Sequence, residues 1–352
     1  KLVDSDIDRY YQKIAERIAG TKKVDPSREQ TARRMLERFL PRAFRRPVDE
    51  KTIGAFLSIA TEHWQQGHSF NEGMHLLMRN VLISPQFLYR SLRPGNLDDH
   101  DLATRLSYFL TQGPPDGQLV GIANAAKLSS DEELRRQAMR LMPTGREHAL
   151  VTSFTGQWLD TRGLKSIMPD PRFKFADREI DIAKAEVELF FLEMIKENRP
   201  VRDFIDPDFT WTAPYFAERI YQIKGLKGRR DKPRRLEIPR GSRYGGLLGM
   251  SAIMMATANG VDTQPVLRGV WVLENILGIV PPPPPDEVPA LDADVSGATT
   301  IRERLAKHRQ DETCNVCHRK IDPLGFPLES FDPIGRWREN YPKPKGKAPA
   351  PK

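Results

Sequence analysis

Two cysteines, three positions apart and followed at once by a histidine, are the only thiols in a chain of 352 residues. A pair this close cannot staple distant segments together, and a disulfide framework needs more pairs at wider spacing. The chain must therefore hold its shape by burying apolar surface. Hydrophobic residues at 39% and charged residues at 29% give a soluble globular balance with material for sizeable cores. The length suits two or three domains. No run of about eighteen uninterrupted apolar residues occurs, so no membrane span is expected. Lys1–Asp8 has no signal-peptide hydrophobic region, and the chain reads as mature or as cut from something longer.

Apolar residues recur at three- and four-residue spacing over Asp6–Ile18, Arg28–Leu40, Asp49–Trp64, Phe70–Ile83, Asp99–Leu110, Ser130–Leu141, Arg146–Leu159 and Arg178–Glu197. Asp25 before Pro26, and Ser129-Ser130 before Asp131-Glu132, have the chemistry of helix starts. Pro41 and Pro85 are expected to end the helices that precede them. Strand signals are sparse, so the fold class is mainly α, in multi-helical blocks. Arg93–Asp98 and the charged loop Gly225–Pro239 place the blocks at residues 1–92, 93–225 and 226–342, with a Pro/Lys/Ala-rich tail at 343–352. Gly113–Gly117 reads as a turn within the second block. The third block opens with Gly241–Gly249 and continues as helices over Met250–Thr257 and Val266–Leu277. Five prolines, Pro281–Pro285, should form a polyproline II strut of about 15 Å, at about 3.1 Å per residue.

Net charge is +8, from 55 basic and 47 acidic residues. The excess gathers at Arg42–Arg46 and Lys224–Arg235. Such runs can neutralise phosphates, but no aromatic residues interleave the second one, so solvated loops are expected and nucleic acid is not an expected partner. Basic patches also steer acidic redox partners.

The segment Cys314-Asn315-Val316-Cys317-His318 carries the chemistry. In c-type haem proteins two thiols at this spacing form thioethers to the haem vinyl groups, and the adjacent His becomes the proximal iron ligand. Two other uses of the thiols stay open. A structural zinc site needs four ligands, and His308, Cys314, Cys317 and His318 are the only local set, with Cys317 and His318 awkwardly adjacent. A dithiol redox pair is the other, although the chain lacks the βαβ context usual for it. No phosphate loop of the required spacing, nucleophile elbow or His-Glu-x-x-His is present. Asp206 and Asp208 read as turn and cap residues.

His308–Tyr341 resembles the C-terminal haem segment of a planctomycete-type multidomain cytochrome c-like family, built from strings of domains of unknown function. Phe39–Pro47 and Leu82–Tyr89 are similar to one of its domains, Leu102–Leu110 and Phe154–Leu164 to the next, and Tyr244–Gly278 with the proline run to a third. Asp322-Pro323-Leu324-Gly325-Phe326 also resembles, more distantly, a stretch that follows Cys-x-x-Cys-His in bacterial dihaem peroxidases. The segment Ala256–Pro265 departs from the family's usual pattern. The resemblance implies further domains before and after this stretch. It supports haem better than any reaction.

One covalent haem c is therefore the expected cofactor, with Cys314 and Cys317 as attachment points and His318 as the metal ligand. The opposite axial ligand has three candidates: His308, and Met250 and Met254, which share a helix face at four-residue spacing. His63, His68, His75, His100 and His148 are weaker ones. Buried haem propionates need cations, and Arg268, Arg336 and Arg338 lie near the relevant segments, the first two being favoured. Phe326, Phe331 and Trp337 are expected to pack the haem edge or the local core, and Asp322-Pro323 with Gly325 to form a turn leading away from it. These expectations describe a periplasmic or extracellular electron-transfer protein with a redox partner protein, as one module of a multi-subunit complex. A haem enzyme acting on peroxide, oxygen or an organic substrate is one alternative, and a helical interaction protein with a structural haem is the other.

Overall fold

The computed structural model of the protein describes residues 28–90, 95–145, 148–282, 301–310 and 312–340. The expected helix Asp6–Ile18, the Asp25-Pro26 cap, Pro283–Pro285 and the tail 343–352 lie outside the described residues. The fold is mainly α-helical, with one two-stranded antiparallel sheet among the described residues. The chain divides into two compact units, residues 1–142 and 143–352. The boundary falls inside the block 93–225.

The first unit contains α1 (Arg28–Phe44), α2 (Glu50–Gln65), α3 (Phe70–Ile83), α4 (Pro85–Leu88), α5 (Asp99–Thr111), α6 (Gly117–Asn124) and α7 (Asp131–Leu141). Helices α1–α3 bury one apolar stripe each, around Leu36, Leu40, Leu57 and Leu77. Short polar side chains start most of these helices. Asp49 accepts from the Thr52 N–H at 2.8 Å, Ser69 and Glu72 form a reciprocal capping box, and Ser130 accepts from Glu133. Helix α3 thus begins and ends where the sequence places it. Helix α1 does not stop at Leu40 but runs on through Pro41 to Phe44. Pro41 lies in its last turn, where it leaves only the Glu37 carbonyl without its helical N–H and few residues follow to be disturbed. Helix α6 follows directly on the expected turn Gly113–Gly117, in a stretch for which no helix was expected, and is started by Asp116, whose side chain accepts from Leu119 at 2.9 Å.

The basic run at Arg42–Arg46 is partly absorbed into this unit. Arg45 is buried at positive φ and donates to the carbonyls of Gln86, Phe87 and Tyr89. Arg46 pairs with Asp98 and with buried Asp101.

The second unit contains α8 (Ala149–Trp158), α9 (Asp177–Lys196), β1 (Phe209–Thr212), α10 (Pro214–Arg219), β2 (Arg234–Glu237), α11 (Ser251–Ala256), α12 (Pro265–Trp271), α13 (Ile301–His308) and α14 (Glu312–Gly325). A π-helical turn at Val272–Ile276 extends α12. The strands pair Phe209 with Glu237 and Thr212 with Arg234. The β-branched and aromatic run of β1, Phe-Thr-Trp-Thr, favours a pleated, half-buried surface, a signal too short to weigh against the helical periodicity around it. Helix α9 is the centre of the unit. It is buried on most sides, stacks Phe190 on Phe209, and contributes Val187 and Phe190 to the core that also holds Phe216, Met254 and Trp271. Helices α12 and α14 cross closely.

One buried polar network lies inside this core. The Tyr221 hydroxyl donates to Glu186 at 2.6 Å and accepts from the Ser251 N–H at 3.2 Å. Burial pushes the Glu186 carboxyl up to about 8, against the pull of its hydrogen bonds from Thr212, Tyr221 and Ala213, and pushes the Tyr221 phenol well above its ordinary value. The folded chain therefore keeps a proton on Glu186 where the unfolded chain has lost it. The group's contribution to stability is greatest below about 4.5, falls as pH rises, and is lost once pH passes about 8. Glu186→Gln should flatten this dependence. Denaturant midpoints at about pH 5 and about pH 9 should differ less in the variant than in the parent. Equal losses in both would contradict a buried neutral carboxyl.

Candidate haem site

Helix α14 brings the motif together through its own period. Positions 314, 317 and 318 are related by steps of three and four, so both thiols and the imidazole occupy one face. Cys314 and Cys317 are unbridged and partly exposed, and the His318 side chain is 14% exposed. One further turn along the same face, Asp322 accepts from His318: the Nδ1 to Oδ1 distance is 2.9 Å. Asp322 is almost fully buried, and its other oxygen stands 3.4 Å from Nε of Arg309. A carboxylate that accepts at Nδ1 fixes the tautomer and leaves Nε2 bare.

This arrangement corrects one sequence expectation. Asp322, Pro323 and Gly325 do not form a turn leading away from the site; they are the last turn of α14. Pro323 has no N–H to give the Arg319 carbonyl, but it stands two residues from the helix end, where one lost bond is tolerated. A 3-10 turn, Phe326–Ser330, follows directly. Reading Pro323 as a helix breaker concealed the four-residue step from His318 to Asp322. That step was the signal in the sequence that would have found Asp322.

The remaining candidates fall into two groups. His308, the last residue of α13, places its ring edge-on to that of His318, with centroids 5.1 Å apart. Met250 and Met254 are both buried in the core around α9 and α11. Met250 precedes α11 and Met254 lies within it, and α11 packs on α9, whereas α14 packs on α12. His63 and His68 stack on one another in the first unit.

Arg268, on α12, has no exposed surface. Its guanidinium donates to the carbonyls of Leu328, Phe331 and Asp332, at 2.5, 2.9 and 3.3 Å, and lies 3.5 Å from Glu329. Glu329 in turn accepts from Thr263 at 2.7 Å, and Arg338 donates to the Glu329 carbonyl. The stretch 328–332 is thus tied to α12 by one side chain. Arg336 is half-exposed, pairs with Asp332 at 2.8 Å and lies over the Phe173 ring. Phe331 and Trp337 meet edge to face, and Phe331 belongs to the core of the unit. Phe326 lies under the guanidinium of Arg302. Asp206 and Asp208 hold backbone and arginines: Asp206 accepts from the Gly241 N–H at 2.6 Å, and Asp208 pairs with Arg199 and Arg240. In the segment 256–265, Asn259 accepts from the N–H groups of Val261 and Asp262.

Among the described residues, no three His, Cys, Asp or Glu side chains converge as a metal-ion cluster. No helix there is long and apolar enough to cross a membrane.

Fold and site together define a multi-helical protein whose C-terminal segment presents a Cys-x-x-Cys-His helix face. Three sequence families match the chain in series. Residues 31–91 match PSD5, described as a protein of unknown function (DUF1595); residues 97–223 match PSD4, a protein of unknown function (DUF1592); and residues 244–341 match PSCyt3, a protein of unknown function (DUF1588). These are the planctomycete cytochrome c-associated domains of unknown function, and their succession is consistent with a multidomain family. No curated protein and no solved structure matches the chain.

Proposed function

We propose that this chain is an extracytoplasmic c-type haem protein that transfers electrons within a larger redox assembly. The observation that carries the reading is the α14 face: two unbridged thiols and an imidazole, with Nδ1 already held by a buried carboxylate. This donor set fits haem c. Thioether attachment asks the thiols to reach two vinyl positions rather than to converge on the metal, and the side chains do not converge. Cys314 and Cys317 would hold the group, and His318 would offer Nε2 to the iron. Haem supplies one-electron redox chemistry when bound.

The chain's own residues supply the rest. Asp322 orients the imidazole. Arg268 ties the 328–332 segment to α12, the helix on which α14 packs. His308 places its ring beside that of His318 and would be the second donor to the group. Covalent attachment of haem takes place outside the cytoplasmic membrane, which sets the expected location as periplasmic or extracellular. The exposed basic residues of Lys224–Arg235 suit an acidic redox partner.

Absorption spectra of the oxidised and reduced protein, with and without carbon monoxide or cyanide, test the carrier role. A low-spin spectrum indifferent to added ligand is the expected result. A spectrum that shifts on ligand addition would replace the carrier by a haem enzyme with an open iron site.

A further inference from the structure

We propose that Asp322 is a positioning residue that strengthens His318 as an iron donor, and that Arg309 sets how much charge Asp322 passes on. This deepens the haem reading above and rests on it.

Four observations converge. His318 and Asp322 lie one helical turn apart on one face, so backbone geometry alone keeps them paired. Their polar atoms are 2.9 Å apart. Asp322 is only 2% exposed, and a carboxylate that far from water is costly unless it is paired. Its second oxygen faces Nε of Arg309 at 3.4 Å, which is ion-pair distance but long for a hydrogen bond. That oxygen and that nitrogen are both buried without a hydrogen bond of their own. The carboxylate therefore directs its one short hydrogen bond at the imidazole, while the guanidinium acts on it through charge.

The electronic consequence is set by general ligand chemistry. An imidazole whose second N–H donates to a carboxylate is more basic than one bonded to a neutral acceptor. A more basic axial ligand favours the ferric over the ferrous state and so lowers the reduction potential. Arg309 draws charge from the other end of the same carboxylate and opposes the effect. Asp322 and Arg309 thus act with opposite sign on one iron, through a single hydrogen bond.

The experiment uses the full haem-loaded chain, as parent, Asp322→Asn and Arg309→Gln. Reduction potentials and the electron paramagnetic resonance spectrum of the ferric haem are measured, with covalent haem confirmed on each. Asp322→Asn keeps the shape and removes the charge. It should move the potential positive and change the ferric spectrum towards a weaker imidazole donor. Arg309→Gln should move the potential negative. A merely structural Asp322 would alter stability and leave the ferric spectrum unchanged. Should Asp322→Asn fail to accumulate as folded protein, the ferric spectrum of Arg309→Gln decides, since it should change towards a stronger imidazole donor and a charge acting on the iron directly would leave it unchanged. Loaded variants with unmoved potentials, or shifts of the same sign, overturn the role given to Asp322 and leave the haem reading standing. A parent chain that carries no haem overturns both.

Discussion

Arg268→Met should destabilise the second unit by about 3–5 kcal/mol, the usual cost of removing one partner from a buried charged network. The side chain has no exposed surface. It serves three backbone carbonyls and sits beside Glu329. Methionine fills much of the volume but donates nothing, so those carbonyls are left in a dry environment, and Glu329 loses one of its cationic neighbours. Arg268→Lys should recover only part of the loss, because an ammonium cannot span the carbonyls of Leu328, Phe331 and Asp332 as a planar fork does. Denaturant unfolding followed by circular dichroism measures the difference. A Met variant within about 1 kcal/mol of the parent would contradict the structural role, since ordinary surface substitutions fall within about half that range.

Gly325→Ala provides a second large effect, with a sign opposite to helix propensity. Gly325 is the last residue of α14 and has right-handed helical angles, φ −86° and ψ −40°. On propensity alone alanine there should stabilise by about 1 kcal/mol. A methyl group at this position, however, would drive into the Pro265 carbonyl and the backbone of Gly269. Gly269 has the reciprocal constraint, since its own methyl would meet the Ile321 carbonyl. Both obstacles are main chain, which cannot rotate aside, so α12 and α14 must separate. Overpacking of this kind costs about 1–3 kcal/mol. Thermal unfolding of the variant should show a lowered midpoint, and a raised one would mean that the two helices are not in backbone contact. The separation would also displace the helix that carries Cys314, Cys317 and His318.

Sequence and structure agree best where information is local. Helix α3 keeps its expected bounds because Ser69 and Glu72 close one end and Ser84-Pro85 the other. Cys314, Cys317 and His318 share one helix face for the same local reason: three positions within five residues fall together once the segment is helical. Proline was the main source of error. Pro41 and Pro323 both lie in last turns, where a helix forgoes one hydrogen bond at little cost, and neither position announces that context. The second of these concealed Asp322. Arg268 was singled out for its charge and its place in the chain, but its complete burial depends on carbonyls about sixty residues away, and no local pattern encodes that. The sheet of Phe209–Thr212 with Arg234–Glu237 has little local signature, because each strand has only four residues and the pairing crosses a charged loop.

The central claim is covalent haem on α14. Its most direct test is the intact mass, under denaturing conditions, of chain produced in a host with c-type haem maturation, alongside Cys314→Ser/Cys317→Ser made the same way. The parent should carry the mass of one haem and keep it through denaturation, while the double variant should show the bare polypeptide mass. A parent that also shows the bare polypeptide mass would contradict the account.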